Sequence, residues 1–249
     1  MKAVIIAAGC GSRLESQHKG MPKTLLKIGN RRVIDIILDG VLKSAINDVV
    51  IVTGFQAAAL EEYLSSNVLD SLNIEFCYNA SWKLSNGISV LSAEENIQPG
   101  EEFILLMSDH IFEPEMLKHI VETAIEPDQA LLALDFKLEF IPDLDDGMKV
   151  QCDRTENGRL EITGLDKNYR DYQAIDCGMF KLNHSFFATL RNSIEQGRDS
   201  LSDACNSLAQ NGKMIGVDIG DRRWIDLDTP EMFSFRGLIS SITRLRDKP

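Results

Sequence analysis

Two glycines, two cations and two well-separated aspartates are the residue types in this chain whose spacing could support phosphate chemistry. The turn Ala7-Ala8-Gly9-Cys10-Gly11-Ser12-Arg13-Leu14 follows a short apolar run, and Pro22-Lys23-Thr24-Leu25 closes it. Gly9 and Gly11 carry no Cβ, so the backbone can turn tightly and come close to a ligand. Amides exposed in such a turn point at whatever sits above the strand, commonly phosphate oxygens. Arg13 and Lys23 bring two positive charges to the same loop. A dinucleotide fingerprint would need a third glycine where Leu14 stands. A Walker loop would need Gly-Lys followed by Ser or Thr, whereas Lys23 follows Pro22. A plain tight connection is the alternative on this loop alone.

The aspartates add a second chemistry. Asp109 ends the apolar run Phe103 to Ser108, and a carboxylate there overhangs a cleft and suits Mg²⁺ on a nucleotide. A cap or loop-bonding aspartate is the plainer alternative. Asp226 lies in Trp224-Ile225-Asp226-Leu227-Asp228-Thr229-Pro230, and one aspartate from each half could share a metal ion that substrate phosphates complete. Asp228 is expected to cap the closing helix with Thr229. His110 is tempting as a base, but an acceptor phosphate is already ionised at neutral pH, so a structural or outer-shell role is expected. No local signature supports covalent catalysis by a Ser-His-Asp or Cys-His arrangement. Asn86, Gly87 and Ser89, near Asn79, suit a loop that reads a pyrimidine edge, and equally a plain Asn-Gly turn.

Composition narrows the partners. The 249 residues carry a net charge of −12, which argues against a nucleic-acid partner. Any phosphate cleft must be a local positive island. No run approaches membrane-spanning length, so no membrane insertion is expected within the chain. The chain opens directly on a strand, and with five scattered cysteines and no C-x-x-C pair a cytoplasmic protein with reduced thiols is expected. A homodimer is left open.

The elements that must position these residues follow from apolar patterning. Strands are expected at 3–8, 48–53, 74–78, 103–108 and 130–134, alternating with helices at 33–45, 57–64, 89–95 and 114–124. This alternation predicts an α/β fold with a doubly wound, mostly parallel sheet and ligands at the strands' carboxyl ends. From about Asp143 the rhythm changes. Strands at 148–152 and 160–165 flank Glu156-Asn157-Gly158-Arg159, a hairpin signal. A strand at 174–182, helices at 185–196 and 202–210 (Ser202 as N-cap), a strand at 214–217 and a closing helix at 230–242 complete the reading.

The loop G-x-G-x-R-L with its downstream P-K-x-L resembles the signature of nucleotidyltransferases that activate sugar phosphates and related alcohols. Further segments narrow the resemblance to CTP:inositol-1-phosphate cytidylyltransferases and their relatives acting on phosphoalcohols and phosphonates. They are Asn86-Gly87-Ile88-Ser89, Met107-Ser108-Asp109-His110, Asp146-Gly147-Met148-Lys149-Val150, Gly164-Leu165-Asp166-Lys167 and Asp176-Cys177-Gly178-Met179-Phe180. The resemblance runs from Met1 to about Met232 and implies a single nucleotidyltransferase domain over 1–249. Its parts would be a nucleotide-binding half (1–135), an acceptor and second metal segment (136–232), and a C-terminal helix and tail (233–249). It further implies that backbone at Ala7, Ala8, Gly9 and Gly11 cradles the nucleotide and that Asn86, Gly87 and Ser89 face its base. Arg13 and Lys23 would hold the triphosphate, and Asp109 and Asp226 would bind Mg²⁺. Lys149 and Lys167 would face the incoming phosphate, with Lys149 catalytic beside Arg13 and Lys23, and Asp176 would meet acceptor hydroxyls. CTP and a small phosphorylated acceptor are the implied partners, inositol 1-phosphate first, then a hydroxyethylphosphonate-like phosphonate, then phosphocholine. In some relatives the domain is fused to a membrane transferase, so fusion to or work beside one is a further expectation. Ser108 and Ile88 replace a Gly and a Tyr common in relatives, which bears on the acceptor. A sugar-1-phosphate nucleotidyltransferase using another NTP is a rival reading. A non-catalytic nucleotide sensor is another, although such subunits usually lose the loop lysine or a metal acid, and this chain keeps both.

Overall fold

The computed structural model describes residues 1–14, 20–67 and 71–243. Its strands are β1 (Lys2–Ile6), β2 (Lys27–Ile28), β3 (Arg31–Arg32), β4 (Asp48–Thr53), β5 (Asn73–Tyr78), β6 (Glu102–Met107) and β7 (His110–Phe112). They continue as β8 (Ala130–Asp135), β9 (Lys149–Arg154), β10 (Leu160–Asp166), β11 (Ala174–Asn183), β12 (Met214–Asp218) and β13 (Trp224–Asp226). One sheet of order β5-β4-β1-β6-β11-β8-β12-β10-β9 runs through the molecule. β1, β4, β5 and β6 are mutually parallel neighbours, as are β8 and β12. The long β11 runs antiparallel between β6 and β8. The expected α/β fold is therefore present, with a mixed sheet, and the expected hairpin β9–β10 is built into it, β10 pairing with β12 and β9 with the start of β11.

The inner parallel strands β1, β4, β6 and β8 are apolar along most of their length because they are covered on both faces, whereas the edge strand β5 exposes Asn73, Glu75 and Tyr78. Val4 and Ile6 project into one core with Phe103, Leu105 and Phe180, while Ala3 and Ile5 project into the other with Ile34, Ile37 and Ile104. The helix Val33–Lys43 starts where Asp35 accepts the Arg32 amide at 3.0 Å, and it buries Ile34, Ile37, Leu38 and Val41. After β1 the chain runs outward through β4 and β5, then β6 returns to β1's other side. That reversal makes the carboxyl ends of β1 and β6 the natural crevice.

Most expected bounds shift by up to a few residues, and three elements differ more. The helix expected at 89–95 begins at Asn86 and ends at Ser92, with a 3₁₀ turn at Glu94–Asn96. Its start is fixed from outside, because Asn86 Oδ1 accepts the Leu201 amide at 2.9 Å. The cap of the helix Leu201–Ala209 is Ser200, not Ser202: Ser200 Oγ accepts the Asp203 amide and Asp203 accepts the Ser200 amide, each at 3.1 Å. The closing helix is split into a 3₁₀ turn, Met232–Ser234, and a helix, Arg236–Thr243, because Phe235 leaves helical geometry at ψ 53°. The tail expected beyond 243 lies outside the described residues.

Candidate active site

Asp109 sits where β6 turns into β7. Strand β7 pairs antiparallel with β13, setting His110 opposite Asp226, and the Leu227 amide donates to the Asp109 carbonyl at 2.9 Å. Asp109, His110 and Asp226 thereby place ligand-type atoms within 4.8 Å of one another. The alternation Trp224, Asp226, Asp228 explains which groups arrive together, since residues two apart along an extended strand share a face. Asp228 does not cap a helix: it accepts Lys23 Nζ at 2.8 Å and also pairs with Arg13.

The cations reach these acids from the Gly-rich loop. Gly11 holds φ +62°, and a Cβ built there would lie 3.1 Å from the Lys23 side chain, so the turn lets the lysine pass against bare backbone. Lys23 Nζ bonds Asp109 as well as Asp228. Arg13 bridges Asp228 and Asp146, and Asp146 also pairs with Lys167 at 3.1 Å. Above Gly9 a built Cβ meets nothing within 4 Å, leaving open space over the loop. The Ala7 amide donates to Val52 and the Ala8 carbonyl accepts from Phe55, each at 2.9 Å, which anchors the loop's entry in the sheet.

Charge states follow from this packing. Burial alone would raise the Asp109 carboxyl, but Lys23 and His110 hold it well below the usual range. Burial would lower the Lys23 ammonium, yet Asp109 and Asp228 raise it. His110 donates from Nδ1 to Asp109 Oδ1 at 2.6 Å; burial pulls its pKa down, while Asp226 and Asp109 lift it to about 9. The two carboxylates thus favour the protonated ring in the metal-free protein. The imidazole stacks on Trp224, with ring centroids 5.3 Å apart and planes 2° from parallel. Gly178, at φ +67°, packs close against the same ring; a Cβ built there would lie 2.8 Å from it. Trp224 is itself held by Asp135, whose carboxylate accepts the indole N–H at 2.9 Å. Asp226 is pushed up by burial and by Asp109 and Asp228, against the pull of His110. Its Oδ1 is buried and has no hydrogen-bond partner among the described residues.

A cavity of about 290 Å³ opens beside this cluster, lined among others by Met107, Asp109, Asp176, Asp226 and Lys167. Asp176 faces it with one oxygen receiving the Gly178 amide at 2.6 Å, and burial pushes its carboxyl up to about 6. The pH consequence is definite. The folded chain keeps a proton on Asp176 after the unfolded chain has lost it, so this group subtracts stability as pH rises from about 4 to about 6 and holds that loss above. Asp176→Asn is therefore expected to gain stability over the wild type by about 2 kcal/mol between pH 4 and pH 7.5, read by denaturant unfolding at several pH values. Parallel curves for the two proteins would contradict the buried-carboxyl assignment.

The remaining expected residues lie elsewhere. Lys149 is buried with its ammonium on the Asp145 carbonyl, and it does not line the cavity. Asn86 lines the cavity, but Gly87 lies under the next segment: a Cβ there would stand 2.3 Å from the Asp199 carbonyl oxygen. Ser89 Oγ accepts Asn79 Nδ2 at 2.9 Å in a buried pair. Asp146, Asp135 and Trp224 had no role in the sequence reading. Their signal was present only in part, as the alternation around Asp226.

The model of the MobA-like NTP transferase domain matches residues 3–150. A bifunctional IPC transferase and DIPP synthase of Aquifex aeolicus is 29% identical over 92% of this chain and 49% of its own length. A bifunctional protein GlmU of Methanococcus maripaludis is 28% identical over 92% of this chain and 52% of its own. The chain thus spans about half the length of the curated relatives it matches. The inositol-1-phosphate CTP transferase of T. maritima superposes with a TM-score of 0.81 at 20% identity, covering 96% of each chain, which establishes the common fold. With the loop cations and the paired aspartates at the crevice of that fold, the chain belongs to the family of MobA-like NTP transferase domains.

Proposed function

We propose that this nucleotidyltransferase transfers CMP from CTP to a small phosphorylated alcohol and releases pyrophosphate. The observation that carries the reading is the meeting of Arg13 and Lys23 with Asp109 and Asp226 at the ends of β1 and β6, beside a cavity large enough for an acceptor. The resemblance in the loop, in the Asp109-His110 pair and in the hairpin section supports cytidine as the base and inositol 1-phosphate as the first acceptor to test.

Mg²⁺ fits the residues present. Hard divalent cations take carboxylate oxygens, and Asp226 Oδ1 is a buried oxygen lacking a partner within reach of Asp109. Asp109 and Asp226 would hold the ion, which would neutralise phosphate charge as the bond to the leaving group breaks. The chain's own residues do the positioning. Lys23 and Arg13 exchange their carboxylate partners for triphosphate oxygens. An acceptor phosphate oxygen then attacks the α-phosphorus in line, forming one P–O bond as the bond to pyrophosphate breaks. No proton has to leave the ionised acceptor, so positioning and electrostatics carry the catalysis. His110 holds Asp109 in orientation through its Nδ1 hydrogen bond.

Pyrophosphate release should require CTP and Mg²⁺ together, with UTP, GTP and dTTP at least tenfold slower in kcat/KM across a panel of phosphoalcohols and sugar 1-phosphates. Faster turnover of a sugar 1-phosphate with UTP or dTTP would replace cytidylyl transfer with the sugar-nucleotide reaction.

A further inference from the structure

Asp135 is a buried carboxylate outside the proposed metal pair. Leu131, Ala133 and Asp135 share one face of β8, because residues two apart along a strand do. The first two sit in the core with Trp224, so the apolar row ends on a charge that is only 4% exposed. Its two oxygens have separate duties. Oδ1 accepts the Lys137 amide at 2.9 Å and Lys137 Nζ at 2.7 Å, while Oδ2 accepts Trp224 Nε1 at 2.9 Å. Lys137 Nζ also donates to the Gly220 carbonyl at 2.5 Å, in the connection that leads into β13. A neutral carbonyl would satisfy an indole N–H. A carboxylate in its place has to be paired to offset its desolvation, and it then holds the ring by a stronger, charge-assisted bond.

That bond is two contacts away from the metal site. The Trp224 ring is stacked on the His110 imidazole, and His110 Nδ1 donates to Asp109 Oδ1 at 2.6 Å. Stacking sets the spacing of two rings but leaves them soft to sliding; a hydrogen bond at the indole edge removes that freedom. The chain of contacts counts most when substrate is bound. Asp109 has two side-chain partners among the described residues, Lys23 and His110. Once Lys23 turns to triphosphate oxygens, His110 is left to hold the carboxylate that faces the ion.

Resting on Mg²⁺ at Asp109 and Asp226, we propose that Asp135 is a positioning residue for Asp109, acting through the Trp224 indole and the His110 imidazole. Its part is orientation of the ligand, not contact with the ion. Losing it loosens the grip on the ion and leaves the hold on the nucleotide alone unchanged.

Two substitutions cut the bond with little change of shape. In Asp135→Asn the amide keeps its oxygen on Lys137 only by turning its NH₂ group against the indole N–H. Trp224→Phe keeps a stacking ring but has no N–H. The test uses the full chain without acceptor and measures, by calorimetry, the Kd of CTP, UTP, GTP and dTTP with and without Mg²⁺. For the triphosphate that binds best, Mg²⁺ should tighten binding to the wild type by at least about tenfold. Each variant should lose most of that factor, as outer partners of metal ligands do, while the Kd without Mg²⁺ stays within about twofold. The double variant should lose no more than the single ones, because Asp135 acts through the indole. A merely structural aspartate would lower the melting temperature and leave the Mg²⁺ factor intact, and that result overturns the inference. So does a double variant whose losses add. Trp224→Phe retains the Asp135–Lys137 pair, so it carries the test where Asp135→Asn does not fold. A wild type whose binding Mg²⁺ does not tighten for any of the four overturns the metal assignment and this inference together. A normal wild-type factor unmoved in the variants overturns this inference alone, and a preference for another triphosphate over CTP overturns only cytidine as the base.

Discussion

Lys23→Ala is expected to lower kcat by about 10²-fold or more, with a smaller change in the Michaelis constant for CTP. The ammonium sits on Asp109 and Asp228 at the mouth of the phosphate loop, poised to trade these carboxylates for phosphate oxygens whose charge grows as the leaving group departs. An interaction that strengthens in the transition state lowers kcat when removed. The same substitution leaves two partly buried carboxylates without their cation, so the variant should also unfold at lower temperature. Lys23→Arg separates the two effects, because it restores the charge and stability but not the position of a compact ammonium against Gly11. A Lys23→Ala enzyme that changes only the Michaelis constant would make Lys23 a uniform binder and remove its catalytic role.

The second large effect divides the two aspartates. Asp226→Asn and Asp109→Asn should each reduce Mg²⁺-dependent turnover by at least about 10²-fold, since each removes a carboxylate from the proposed ion. Their effects on the substrate-free protein should differ in sign. Asp226 carries a buried oxygen without a partner among the described residues and a carboxyl raised by burial and by its acidic neighbours, so replacing it relieves desolvation and repulsion and should raise the melting temperature above neutral pH. Asp109 is held by Lys23 and His110, so replacing it leaves two cations facing each other and should lower the melting temperature. Calorimetry on both variants with and without Mg²⁺ reads the two signs, and the wild type alone should gain stability from the ion. Near-normal turnover of both variants at saturating CTP and Mg²⁺ would refute the metal assignment.

The nucleotide half was legible because its signals are local. β4 was read to the residue, since Asp48-Val-Val-Ile-Val-Thr53 is an apolar run bounded by turn residues. Arg13, Lys23 and Asp109 meet in one ion-pair network with Asp228 because a strand end and the loop after it lie together. What escaped the sequence depends on pairings between distant segments. Nothing near Ala174 says that β11 runs antiparallel between β6 and β8. Trp224-Ile225-Asp226 was read as the approach to a helix, so Asp228 became a cap. Only the pairing with β7 shows that it faces Lys23. The resemblance turns Lys149 towards the incoming phosphate, yet its ammonium turns back to the Asp145 carbonyl. Gly87 was read as a residue facing the base or as a plain turn, and the Asp199 backbone pressed against it is what requires a glycine there.

The ribbon of β7 and β13 joins the middle of the chain to a segment near its end. During synthesis the strands β1 to β6 leave the ribosome long before Trp224 and Asp226, and β11 must slide between β6 and β8 only after both exist. A nascent chain can therefore hold a formed phosphate loop with Lys23 and Asp109 already charged, while the second carboxylate has yet to be made. On the cytidylyl-transfer reading the Asp109–Asp226 pair forms only once β13 has been made, so a chain released before β13 would carry the loop cations without their second carboxylate.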